Sequence, residues 1–93
     1  MNNIKIANSD IERLSKKSYE ALCNIAMNFL LRPNDILTWY GNNKEKFNQR
    51  KAAFETVLQT LYKDTELYRY YYELPTIKHG FCTFERWKSG MYF

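Results

Sequence analysis

The sequence predicts an all-α fold: a small bundle of two long antiparallel helices, residues 10–31 and 43–74, plus two short helices, 35–40 and 84–89. Three observations carry that prediction. The stretch from Asn43 to Leu74 contains neither Pro nor Gly. Within it Phe47, Phe54, Val57, Leu58, Leu61, Thr65, Tyr68 and Tyr72 fall on one stripe when read at about 100° per residue. Two Pro and three Gly in 93 residues leave little room for a many-turned β fold. The whole chain, 1–93, reads as one domain, long enough to bury a modest core without disulfides or a metal.

Ile4 and Ile6 alternate with polar residues, so residues 1–8 read as an extended arm. Ser9-Asp10-Ile11-Glu12 fits a capping box, in which the Ser hydroxyl and the Glu carboxylate each satisfy a backbone N–H of the other residue. The first long helix opens there and stops at Arg32-Pro33. Ile11, Leu14, Ala21, Leu22, Ile25 and Phe29 form its stripe, which Cys23, Ala26, Met27 and Leu30 widen after Tyr19. Its second half is therefore expected to be the most buried segment of the chain. Asn34 or Asp35 caps the short helix through Tyr40, and Gly41 suits a left-handed end. Ile36, Leu37, Trp39 and Tyr40 are too apolar for a free loop and should plug the end of the bundle.

Asn43 is the expected N-cap of the second long helix, and Leu74-Pro75 its stop. The stripe keeps its phase through Lys63-Asp64-Thr65, which predicts an unbroken helix there. Residues 76–82 read as a loop, with a small hairpin at His79-Gly80 as the alternative. Thr83 caps the last helix and Gly90 closes it. Phe81, Phe84, Trp87, Tyr92 and Phe93 make a tail that should dock onto the body. The longer helix would overhang its partner at its C-terminal end. Leu67, Tyr70 and Tyr71 add apolar surface there and are the candidate interface, for a homodimer or another protein, unless the aromatic tail covers them.

The formal net charge is +4 and the pI near 9.1, which suits contact with nucleic acid or an acidic protein surface and excludes a DNA mimic. A 17% aromatic content argues against disorder. No apolar run has the length of a signal peptide or a membrane span. The expected setting is therefore the cytoplasm, without membrane contact and with Cys23 and Cys82 as reduced thiols. The abundance of Asn, Lys, Ile and Tyr fits an AT-rich genome, such as that of a phage or mobile element. The compartment would then be the host cytoplasm.

His79, Cys82 and Cys23 are the only Cys and His residues, one short of a closed zinc site. The chain has no Gly-rich phosphate loop and no nucleophile–base–stabiliser set. No enzyme activity, cofactor or metal is expected. The basic residues carry more information. Lys44, Lys46, Arg50 and Lys51 crowd the first turns of the second long helix, and antiparallel packing would bring Arg32, Trp39 and Tyr40 beside them. With Phe47 these eight form the candidate partner or nucleic-acid site. Arg50 interrupts the apolar stripe between Phe47 and Phe54, which points to snorkelling, partner contact or pairing with a carboxylate. The leading expectation is a non-catalytic binding protein, a regulator or inhibitor of a host system acting through protein–protein contacts. The alternative is a helical nucleic-acid-binding protein that uses the basic knob at 32–51.

Overall fold

Ser18 and Thr65 divide both of the helices that the sequence predicts as continuous. In the computed structural model, which describes residues 8–76 and 82–89, the order is α1 (Asn8–Ser15), α2 (Tyr19–Leu31), α3 (Pro33–Trp39), α4 (Lys44–Leu61), α5 (Glu66–Glu73), a 3-10 turn (Leu74–Thr76) and α6 (Phe84–Ser89). The all-helical fold class holds, and no strand occurs among the described residues. The expected boundaries 10–31 and 43–74 do not hold. The Ser18 hydroxyl accepts from the backbone N–H of Ala21, and the Thr65 hydroxyl from that of Tyr68. Each hydroxyl satisfies an N–H that a new helix would otherwise leave unpartnered, so the chain can turn at modest cost. A single helix over 43–74 would be about 48 Å long. The longest dimension of the fold is 36 Å.

The two breaks face each other. Tyr19 opens α2, and its ring lies 6.0 Å from that of Tyr62, just past the end of α4. Its hydroxyl accepts a 3.0 Å hydrogen bond from the backbone N–H of Leu67, in the first turn of α5. At the other end of α2, Phe29 meets Phe47 and Phe54 of α4, each at 5.7 Å. The pairs Tyr19–Tyr62 and Phe29–Phe47 run α2 antiparallel to α4. α1 turns back across α4, in which Ala53 is fully buried. α5 folds back onto α2 instead of overhanging it.

The turn at 62–65 also resets the apolar phase. Phe54, Val57 and Leu58 are fully buried as expected, but Leu61 is 58% exposed and Tyr68 and Tyr72 only half-buried. Leu67, Tyr70, Tyr71 and Leu74 take the core positions of the last third. α2 contributes Leu22, Cys23, Ala26 and Phe29 to the core but shares it with α4 and α5.

The local caps are mixed. The Asn43 side chain caps α4 by accepting from the Lys46 N–H, and Thr83 caps α6 by accepting from that of Arg86. Gly41 has φ +69° as expected, and Asn42 follows it at +60°. Ser9 lies inside α1 rather than before it. α3 starts at Pro33, not near 35, because a Pro at the first helical position needs no N–H partner. Its Ile36 is buried, Leu37 and Tyr40 half-buried, and Trp39 exposed. Of the expected arm at 1–8, Asn8 instead opens α1; residues 1–7, His79-Gly80 and the residues after Ser89 lie outside the described residues.

Candidate binding site

Leu67, Tyr70 and Tyr71, the candidate interface, are core residues, which corrects that expectation. The break at 62–65 turns them inward, and the C-terminal helix covers them. The Tyr70 ring meets Phe84 at 5.2 Å and Trp87 at 5.6 Å, and its hydroxyl donates to the Cys82 carbonyl at 2.6 Å. Tyr71 packs on Phe54 at 5.4 Å and donates to Glu55 Oε2 at 2.7 Å. Tyr72 accepts from Gln59 Nε2 at 2.8 Å. Three successive hydroxyls thus reach different partners on α4 and at the start of the last helix. Burial pushes the Tyr70 and Tyr71 hydroxyls above the ordinary tyrosine range, and the bond to Glu55 adds to this at Tyr71.

A surface feature that bears on binding lies at the end where α1, α3 and the start of α4 meet. A cleft of about 260 Å³ opens there. Leu14, Ile25, Phe29 and Ile36 give it an apolar floor, with the fully buried Phe54 behind them. Arg13, Lys17, Asn28, Trp39, Tyr40 and Arg50 complete the lining, so three cations and two aromatics surround that floor, with the Asp10 carboxylate behind two of the cations. Trp39 is 65% exposed, the most exposed large hydrophobic residue among those described. Arg50 Cζ lies 5.9 Å and Lys46 Nζ 5.7 Å from the centroid of the Tyr40 ring, within cation–π range.

Asp10 explains the cation on the apolar stripe. Arg50 Nη1 is 3.0 Å and Arg13 Nη2 3.5 Å from Asp10 Oδ1, so one carboxylate positions two guanidinium groups at the cleft. Of the eight residues expected at the site, Trp39, Tyr40 and Arg50 line the cleft. Lys46 lies beside it on Tyr40, and Phe47 is half-buried edge-on to Phe29. Lys44 and Lys51 do not line it. Arg32 lines a neighbouring cleft of about 380 Å³ with Asn24, Met27, Asn28, Leu31 and Thr83, which shares Asn28 with the Trp39 cleft, so the structure does not bring Arg32 itself to the latter. Arg13 and Lys17 were not expected here. An unbroken helix would carry them away from the start of α4, and the signal for their placement was Ser18 as a cap.

Among the described residues, no group of three His, Cys, Asp or Glu side chains comes together to hold a metal ion. Burial raises the Cys23 and Cys82 thiols above their ordinary value, which disfavours the reactive thiolate. No helix among the described residues is long and apolar enough to cross a membrane. What the cleft offers chemically is apolar contact ringed by fixed positive charge. Compared with protein families, with curated proteins and with solved structures, the chain matches none.

Proposed function

We propose that this chain is a non-catalytic binding protein that engages an acidic protein surface through the end of the bundle bearing Trp39, Tyr40 and Arg50. The supporting observation is the exposed Trp39 indole at the rim of a cleft lined by Arg13, Lys17 and Arg50. Trp and Arg are the side chains most enriched among residues that dominate binding energy at interfaces. The net charge of +4 favours an acidic partner. Read with the Asn-, Lys-, Ile- and Tyr-rich composition, the role is that of a regulator or inhibitor carried by a phage or mobile element. The test is affinity capture from the source cell with wild type and Trp39→Ala, with and without nuclease. A nuclease-resistant protein retained only by the wild type supports the reading, and equal retention by both refutes it.

One observation favours a second reading, nucleic-acid binding. Lys46 and Arg50 flank Tyr40 beside an exposed indole, a combination that can hold phosphates and stack a base. That reading requires salt-sensitive retention on DNA or RNA, weakened when Lys44, Lys46 and Lys51 are changed together to Gln.

A further inference from the structure

The geometry points to an occupant for the cleft: we infer, resting on the protein-binding reading, that it takes one apolar or aromatic anchor side chain flanked by carboxylates on an acidic segment of the partner. Size is the first argument. Pockets for drug-sized ligands and cofactors run from roughly 300 to 1,000 Å³. At about 260 Å³ and open to solvent, this cleft sits at the bottom edge of that range and has room for one large inserted side chain.

The second argument is chemical. An apolar floor rewards a buried hydrocarbon group, and a rim of Arg13, Lys17 and Arg50 rewards negative charge on either side of it. A nucleobase stacked on the exposed Trp39 would satisfy the indole and leave the floor unfilled. The third argument is preorganisation. Asp10 already holds Arg50 at 3.0 Å, and a guanidinium has five N–H donors, so donors remain for a ligand. Lys17 makes no ion pair among the described residues and adds a third cation. Binding then need not order Arg50 from solution, which lowers its entropic cost.

The experiment pans a phage-displayed library of random dodecapeptides against the full chain and measures enriched peptides by fluorescence polarisation. Enriched sequences should share one Leu, Ile, Phe or Trp with Asp or Glu on both sides. Changing that anchor to Ser, or the protein at Lys17→Glu or Trp39→Ala, should each weaken binding at least about tenfold. Melting temperatures should stay near wild type, since neither side chain is in the core. Leu61→Lys, at the opposite end of α4, should bind as wild type does.

Three results overturn the inference: no enrichment, enriched sequences lacking either the anchor or the acids, or oligo(dT) binding at Lys17 and Trp39 more tightly than any peptide. If peptides fail while a protein is still captured through Trp39, the anchor is wrong and the protein-binding reading stands. If both fail, both fall.

Discussion

Arg50 Nη1 lies 3.0 Å from Asp10 Oδ1, joining the first turn of α1 to the first half of α4. The side chains are 31% and 14% exposed, so this pair is far drier than an ordinary surface ion pair. Replacing Arg50 with Leu leaves Asp10 largely buried with only the longer contact to Arg13. Arg50→Leu should therefore cost about 1–3 kcal/mol, read as a lower urea midpoint. A cycle with Asp10→Asn should show coupling of about 1 kcal/mol between the two sites. An unchanged midpoint would instead mean that the guanidinium merely snorkels.

The caps that divide the long helices are separately testable. Ser18→Ala and Thr65→Ala should each destabilise the fold by about 1 kcal/mol. Thr65→Asp should destabilise it too, because the Thr65 hydroxyl also donates to the Tyr62 carbonyl at 2.6 Å and a carboxylate cannot. Chemical denaturation of the three variants decides this. A stabilised Thr65→Ala would show that the turn at 62–65 opposes the preferred path of the chain.

Phe84 covers Tyr70, and losing it tests intramolecular cover against self-association. Phe84→Ala should cost about 3 kcal/mol or more through lost burial and a cavity. Light scattering on the wild type should give a monomer. A wild-type dimer dispersed by Tyr71→Ser without loss of monomer stability would restore the interface that the buried positions of Leu67, Tyr70 and Tyr71 argue against.

Alkaline pH should reveal the buried tyrosines. Unfolded tyrosine titrates near about 10, and burial raises Tyr70 and Tyr71 above that. As pH rises through about 10 the unfolded chain releases tyrosine protons that the native chain keeps, so the tyrosine contribution is full below that range and is lost as pH rises. It comes on top of a smaller loss from the raised Cys23 and Cys82 thiols that starts at about pH 8.5. Each tyrosine contributes a slope of about 1.4 kcal/mol per pH unit there. Tyr71→Phe should remove about one proton's share of the slope, measured by urea titrations between about pH 9 and about pH 11.

The helical class, the Asn43 cap, the left-handed Gly41 and the helix at 84–89 were legible because each is a local matter of propensity and side-chain hydrogen bonding. The two breaks were hidden by periodicity. Thr65, Tyr68 and Tyr72 continue the phase of Val57 and Leu58, so an unbroken stripe was available on paper. It lost to an alternative that buries Leu67, Tyr70, Tyr71 and Leu74, a larger apolar set, at the cost of one turn that Thr65 caps. The same blindness dispersed the site. Trp39, Tyr40 and Arg50 could be grouped from sequence because they lie close along the chain. Arg13 and Lys17 reach the cleft only because α1 turns back at Ser18, and Asp10 comes to Arg50 by the same turn.

Residues in the first turn of a helix ordinarily leave their amide hydrogens open to water and exchange them fast. Leu67 occupies such a position in α5, but its amide is held by the Tyr19 hydroxyl from 48 positions away. Deuterium uptake at Leu67 therefore registers the parting of α2 from α5, not the fraying of a helix end. Tyr19→Phe should quicken uptake at Leu67 while amides deep in α4 keep their protection. The chain thus carries one backbone proton whose lifetime gauges how often its C-terminal third swings free of the rest.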